Sequence, residues 1–164
     1  ITQKEILINE KDNVGVLHDK LSILGKELLL ETLPKIFANK IKGVPQNNEE
    51  ATYAYNIKRE DELLDFNKTA KEIYNKVRGL YPFPVSYALL NGEIIKIIEC
   101  EIGKNSSGKP GEIIDLYKDG IGVNCFDKEI IIKKLKPEGK GIMRAQEFIN
   151  GRKDLKGKVF NESE

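Results

Sequence analysis

Two hydrophobic periods occupy the two ends of the chain, and they predict different structures. Near the start, four leucines recur at intervals of three and four residues, the period of an amphipathic helix: Leu17, Leu21, Leu24 and Leu28. Asp12 and Asn13 carry the short polar side chains that favour the first position of a helix. We therefore expect a helix that reaches Asn39, preceded by a short strand at residues 1–8.

The middle of the chain combines a polar segment with a second helix. Residues 41–60 contain glycine, proline and many polar residues without a sustained period, which indicates a linker. Asn67 is a candidate N-cap for a helix that ends at Gly79, and Gly79 is expected to close it in the left-handed conformation. Pro82 cannot continue that helix and favours an extended Tyr81.

The second half of the chain is rich in short apolar segments of strand character. The predicted strands are 85–90, 93–102, 112–117, 121–126 and 129–135. Asn91-Gly92 between the first two is a strong signal for a two-residue hairpin, and a short helix is predicted over 143–150, ending at Gly151. Strands with such short connections predict a small β-barrel, for which an OB-like fold is the first choice.

Charge is balanced over the whole chain but not along it. The formal net charge is +1, from 27 basic and 26 acidic residues. Between Lys133 and Lys158, however, nine basic residues stand against three acidic ones. Such a local excess of positive charge is typical of a surface that binds nucleic acid.

Two further features of the composition narrow the class of protein. Cys100 and Cys125 lie in apolar runs, and we interpret them as buried reduced thiols rather than as a disulfide or zinc ligands. No run of about 18 apolar residues is present that could span a bilayer. We expect a cytoplasmic protein, and because the chain begins with Ile1 instead of Met, we expect a fragment.

Five segments of the chain resemble, in the same order, the C-terminal half of the methionyl-tRNA formyltransferase family. They are LHDKLSILGKELLLETLPKI, TYAYNIKREDELLDF, VRGLYPFPVSY, KPGEI and KLKPEGKGIMRAQEFINGR. The resemblance implies an enzyme that transfers a formyl group from 10-formyltetrahydrofolate to the amino group of methionyl initiator tRNA. It also implies a Rossmann-like catalytic domain, a linker and an OB-like domain that helps to bind tRNA.

The resemblance assigns each part of the chain to a domain of the family. Residues 1–40 resemble the closing strand and helix of the catalytic domain, residues 41–60 the linker, and residues 61–164 the OB-like tRNA-binding domain. The predicted class is thus α+β: a strand–helix remnant of a Rossmann-like domain, a linker, a helix and a small barrel. The expected partners are initiator Met-tRNA and the catalytic half of the same monomeric protein.

The catalytic Asn, His and Asp motifs of the family have no counterpart in this chain. His18 is the only histidine, and it lies in the first predicted helix, where we interpret it as a solvated or structural residue. We therefore predict no catalytic residue, no metal site and no cofactor bound by this chain, which should be inactive alone. 10-Formyltetrahydrofolate would be the formyl donor of the full-length enzyme.

The predicted tRNA contacts are basic residues, because A-form RNA is recognised mostly through its backbone. The family usually has Lys where Asn56 stands, which leaves Lys58 and Arg59 as the nearby cations. Lys133 and Lys134 are neighbours in a predicted strand, so their side chains are expected to leave opposite faces. The candidates are Lys58, Arg59, Arg78, Lys133, Lys136, Lys140, Arg144, Arg152 and Lys153.

Other interpretations of the same residues stay open. Each lysine could be a solvated surface charge, and Arg78 could pair with an acid near the helix end. Tyr81, Phe83 and Tyr87 could stack on bases, although packing in the core or at the hinge is favoured. The chain could also be the C-terminal part of a sugar-nucleotide formyltransferase or a folate-dependent hydrolase, or a non-catalytic interaction module.

Overall fold

The computed structural model describes residues 1–152 and 154–162 of the chain. The chain divides into two compact units, Ile1–Ile57 and Lys58–Glu164. None of the helices in residues 1–152 and 154–162 has the length and apolar composition of a membrane span.

The first unit is built on one long helix, α1 (Val14–Phe37), followed by a short 3₁₀ turn. Asn13 caps α1 as predicted, since its side chain accepts a hydrogen bond of 2.9 Å from the Val16 N–H. The strand predicted at residues 1–8 is wrong, because no segment of this unit pairs with it. The segment is instead tied to α1 through side chains, and the Thr2 and Thr32 hydroxyls lie 3.0 Å apart.

The second unit contains the sheet and three helices of the described chain. The helices are α2 (Arg59–Glu62), α3 (Ala70–Leu80) and α4 (Ala145–Asn150). The strands are β1 (Tyr87–Leu90), β2 (Glu93–Asn105), β3 (Ile113–Tyr117), β4 (Gly120–Asn124), β5 (Lys128–Pro137) and β6 (Met143–Arg144). The five predicted strands and the short last helix are thus present, and β6 is an addition.

The strands form one antiparallel sheet in the order β1-β2-β5-β4-β3, and β6 pairs with β5. Asn91 and Gly92 have φ values of 51° and 77°, which suits the predicted tight turn between β1 and β2. Inward residues of each strand alternate with outward ones, as in Ile95 and Ile97 of β2, which are fully buried. These side chains and one face of α3 make a single hydrophobic core.

Both ends of α3 differ from the prediction. Thr69, not Asn67, is the N-cap, and Thr69 and Glu72 form a reciprocal capping box. Gly79 lies inside the helix and not in the left-handed conformation, because the helix continues to Leu80. Packing of Leu80, which is 8% exposed, favours this extra residue.

The aromatic residues after α3 separate into two kinds. Tyr81 is extended, with φ −98° and ψ 133°, as the following proline predicts. Tyr81 and Tyr87 are half-buried. Phe83 is 82% exposed, so the expectation that it packs in the core or at the hinge is wrong.

The C-terminal segment joins two edges of the sheet. Ile113 N–H donates to the Lys158 carbonyl at 2.8 Å, beside β3. Three residues later, Asn161 N–H donates to the Leu89 carbonyl of β1 at 2.8 Å, and its side chain accepts a hydrogen bond from the Leu89 N–H. The segment between them carries Phe160 into the core.

Candidate nucleic-acid interface

One row of outward side chains crosses three neighbouring strands. Tyr87 of β1 lies directly opposite Lys96 of β2, and Lys96 lies directly opposite Lys136 of β5. Residues opposed in antiparallel strands point to the same face and lie about 5 Å apart at their Cβ atoms. The fold therefore places an aromatic ring and two ammonium groups side by side on the surface.

Arg59 adds a third cation to this row. Its guanidinium lies 4.0 Å from the centre of the Tyr87 ring, a distance that gives a cation–π contact. The position of Arg59 is fixed by the end of α2, because Leu63 bridges to Tyr87 and Leu64 N–H donates to the Tyr87 carbonyl at 2.8 Å. Arg59 also forms an ion pair with Glu62, and its side chain remains 51% exposed.

Lys96 and Lys136 form a pair of opposed like charges. Such a pair destabilises a sheet by a few tenths of a kcal/mol. No carboxylate of residues 1–152 or 154–162 lies within 4 Å of either ammonium group. An anion bound between them would remove the repulsion, so this pair has the charge of a phosphate contact.

A second row lies further along the same face. Lys134 of β5 is opposite Glu99 of β2 on one side and opposite Arg144 of β6 on the other. The Lys134 Nζ is 2.5 Å from Glu99 Oε2, whereas Arg144 has no ion pair among the described residues. We call the cations of the two rows the basic face: Arg59, Lys96, Lys134, Lys136 and Arg144.

The expectation that Lys133 and Lys134 leave opposite faces is wrong. The pairing of β2 with β5 shifts register on either side of Glu99, and such an irregularity breaks the period of two. As a result, Lys133 lies 3.3 Å from Glu101, and Lys134 pairs with Glu99. Glu99 and Glu101 are two residues apart in β2 and lie on the same face of the strand. Both lysines therefore line one groove.

This groove, which we call the ion-pair groove, has a volume of about 800 Å³. Its charged lining is four cations and three carboxylates: Lys118, Lys133, Lys134, Arg144, Glu99, Glu101 and Asp119. Lys133 also donates to Asp119 at 2.8 Å. That hydrogen bond holds the pKa of the Asp119 carboxyl below its usual value and raises the pKa of Lys133. Lys133 is thus already neutralised by the protein.

The other predicted contacts lie apart from the two rows. Lys58 is exposed, 3.6 Å from Glu60. Arg78 donates to Asn75 at 2.9 Å on α3. Arg152 pairs with Glu93 and lies over the Phe148 ring at 4.5 Å, which is a structural position.

Lys140 and Lys153 complete the predicted set. Lys140 is exposed in the turn between β5 and β6, one residue after Gly139, whose φ of 69° the turn requires. Lys153 lies outside the described residues. The structure thus brings Arg59, Lys136 and Arg144 of the predicted set onto one face, with Lys133 at its margin.

Sequence reasoning missed Lys96 as a member of the site, and it named Tyr87 only as a residue that could stack on bases. Lys96 stands alone in the apolar run EIIKIIE and was not part of any basic cluster. Its signal is the strand period, which places it outward between buried neighbours. The pairing with Lys136, 40 positions away in the chain, depends on the sheet topology.

The two cysteines and the histidine differ in their burial. Cys100 and Cys125 are free and buried, and burial raises the pKa of Cys125 to about 12 and that of Cys100 further. His18 is exposed, and its Nδ1 lies 3.3 Å from Asp19 Oδ1. Residues 1–152 and 154–162 contain no group of three His, Cys, Asp or Glu side chains that could hold a metal.

The first unit contains a pocket whose lining does not fit a folate. It measures about 750 Å³ and is lined by polar residues around Gln46, Asn47 and Asn48. Its lining contains no aromatic ring on which a pterin could stack. We therefore assign no step of formyl transfer to these residues.

Comparisons with known proteins identify relatives of the chain. The family described as "Formyl transferase, C-terminal domain" matches residues 56–153. A protein named methionyl-tRNA formyltransferase from Geobacillus sp. (strain WCH70) is 46% identical over 153 residues, which are 92% of this chain and 48% of the relative. One of the same name from Bacillus subtilis (strain 168) is 44% identical, with the same two shares. The chain thus spans about half the length of these relatives.

Solved structures with a similar fold include a HypX protein and an N-formyltransferase. A variant of HypX from Aquifex aeolicus has a TM-score of 0.65 and 16% identity, covering 96% of this chain and 31% of that chain. The N-formyltransferase from Helicobacter canadensis, in complex with folinic acid and dTDP-3-aminofucose, has a TM-score of 0.55 and 21% identity, covering 76% and 46%. At such identities, these likenesses show the fold.

Proposed function

Because the chain belongs to the formyl transferase C-terminal domain family, we propose that it is the tRNA-binding part of a methionyl-tRNA formyltransferase. The full-length enzyme would transfer a formyl group from 10-formyltetrahydrofolate to methionyl initiator tRNA in the cytoplasm, as a monomer. The names of the relatives support the substrate, since they match 92% of this chain at 44% and 46% identity.

In this proposal the chain corresponds to three consecutive parts of the full-length enzyme. Residues 1–40 are the end of a Rossmann-like catalytic domain, 41–60 are a linker, and 61–164 are an OB-like domain. The hydrogen bonds of the C-terminal segment support a barrel, since it joins the β3 edge at Ile113 to the β1 edge at Leu89. A sheet whose two edges are joined in this way is the closure that small barrels require.

The observation that carries the RNA-binding role is the row of Arg59, Lys96 and Lys136 on Tyr87. RNA helices are bound through phosphates and sugars rather than base edges in the deep groove. A face with a guanidinium, two ammonium groups and one ring therefore suits backbone binding with little sequence reading. The chain would supply binding and orientation of tRNA, and the chemistry would come from the other half of the enzyme.

A titration of labelled initiator tRNA at several salt concentrations tests this function. If the four cations of the basic face other than Lys134, which is paired with Glu99, each neutralise one phosphate, the log–log slope of affinity against salt should be about −3.5. Affinity should then fall roughly 100-fold between about 50 and 200 mM salt. An affinity that does not change with salt, or no binding at low salt, would contradict the proposal.

The alternative is a sugar-nucleotide formyltransferase. The fold shared with the Helicobacter canadensis enzyme makes it a reasonable second candidate. The two are separated by competition, because bound tRNA should be displaced by unlabelled tRNA and not by a dTDP-sugar. A non-catalytic interaction module would bind neither.

A further inference from the structure

The basic face is interrupted by one carboxylate at its β5–β6 end. Glu99 occupies the second row directly beside Lys134, and their charged atoms are 2.5 Å apart. Both side chains are about half exposed, 48% for Glu99 and 47% for Lys134. In the first row, by contrast, Lys96 and Lys136 have no carboxylate within 4 Å among the described residues.

An exposed ion pair of this kind contributes little to folding, because both charges are well solvated when apart. Its effect on an incoming polyanion is larger. The Glu99 carboxylate is paired with the Lys134 ammonium group, which a phosphate would otherwise contact. It also repels any phosphate that comes within the Debye length of about 8–10 Å. A phosphate that approaches Arg144, on the other side of Lys134, meets the same repulsion.

We propose that Glu99 limits phosphate binding at the β5–β6 end of the basic face by holding Lys134. RNA is then bound mainly through the row of Arg59, Lys96 and Lys136, and Lys134 joins only when a phosphate displaces Glu99. This inference rests on the proposed RNA-binding function and adds a residue that opposes it. Glu99 thereby becomes a determinant of how strongly any phosphate backbone binds.

The test is a gain of binding in Glu99→Gln, measured in the whole chain. We expect affinity for initiator tRNA and for an unrelated RNA duplex to rise about threefold at low salt, since one more cation is available. The salt slope should steepen by nearly 1. Glu27→Gln, which removes an exposed carboxylate from α1, is the control for net charge and should change affinity much less.

A double-mutant cycle with Lys134→Gln isolates the mechanism. If Glu99 acts by holding Lys134, Glu99→Gln should lose most of its gain when Lys134 is absent. An unchanged or lower affinity in the single variant, or a full gain without Lys134, would overturn the inference.

Inorganic polyphosphate serves as a second probe, because it carries phosphate charge without RNA shape. A gain for polyphosphate in Glu99→Gln, together with no tRNA binding by the wild type, would leave the Glu99 inference standing and reject the RNA-binding function. Wild-type tRNA binding without any gain for either probe would reject the inference alone.

Discussion

Lys96 and Lys136 offer the sharpest test of binding at the scale of single residues. Because two like charges stand opposite each other, Lys136→Gln should leave the free energy of unfolding unchanged or raise it by about 0.2–0.5 kcal/mol. The same change should weaken tRNA binding and reduce the salt slope by nearly 1. Lys136→Gln should therefore weaken binding without lowering stability, whereas the loss of a residue with a purely structural role would lower stability.

Chemical denaturation and tRNA titration of the same protein sample measure both effects. Lys68→Gln is the matched control, since Lys68 is an exposed lysine beside the start of α3 and away from the basic face. Equal loss of affinity in the two variants would mean that only net charge matters. A destabilised Lys136→Gln would mean that Lys136 has a structural role.

Tyr117 gives a second prediction at this scale. Its hydroxyl donates to Glu129 at 2.8 Å, and Glu129 is 1% exposed. Tyr117→Phe should lower the free energy of unfolding by about 1–3 kcal/mol, because a buried carboxylate loses a charge-assisted hydrogen bond. Tyr81→Phe, which removes a hydroxyl without a hydrogen bond among the described residues, should cost much less in the same denaturation experiment.

The same contact sets a pH dependence. The hydrogen bond to Glu129 raises the pKa of Tyr117, so the folded state holds this proton more tightly than the unfolded state. The stability it contributes is present below the unfolded pKa of about 10 and is lost as the pH rises through the folded pKa. Tyrosinate absorbance should show one late-titrating tyrosine that is missing from Tyr117→Phe; its presence in that variant would contradict the assignment.

Gly79 in α3 and Gly122 in β4 should respond in opposite ways to substitution by alanine. A Cβ at Gly79 in α3 meets nothing within 4 Å and needs no unusual φ, so Gly79→Ala should stabilise the protein by about 0.5–1 kcal/mol. A Cβ at Gly122 in β4 would lie 2.5 Å from Glu129 Oε2 and 3.1 Å from the Tyr117 ring. Because Glu129 is buried and hydrogen-bonded to Tyr117, it has little room to move, and Gly122→Ala should destabilise the protein by about 1–3 kcal/mol. Denaturant midpoints of the two variants measure the difference. If Gly79 had the left-handed conformation first predicted, its substitution would destabilise instead.

An element could be predicted from the sequence when the signal for it is local, and not when it depends on the pairing of distant strands. The strands could be predicted because alternation and turn residues such as Asn91-Gly92 are local signals. The register shift at Glu99 could not be predicted, because it arises in the pairing of β2 with β5 and no glycine or proline in the sequence marks it. For the same reason, the basic cluster after Lys133 was visible in the sequence, whereas the contribution of Lys96 required the sheet topology.

The whole molecule holds its hydrophobic core in one of the two units. Every buried hydrophobic residue of the described chain lies between Leu64 and Phe160, and in Ile1–Ile57 only Asp12 and Thr32 are buried. Apolar burial is the main favourable term in folding. Residues 58–164 should therefore fold alone in a single cooperative transition, whereas residues 1–57 alone should show no cooperative unfolding.

Calorimetry and circular dichroism of the two fragments check this prediction, and the tRNA titration extends it to function. Since all five cations of the basic face belong to the second unit, the 58–164 fragment should keep the salt slope of the whole chain. A slope reduced by 1 or more would mean that residues before Lys58 contact the RNA backbone as well. A 58–164 fragment that does not fold would mean that its core needs the first unit, although no buried apolar residue of the described chain comes from there.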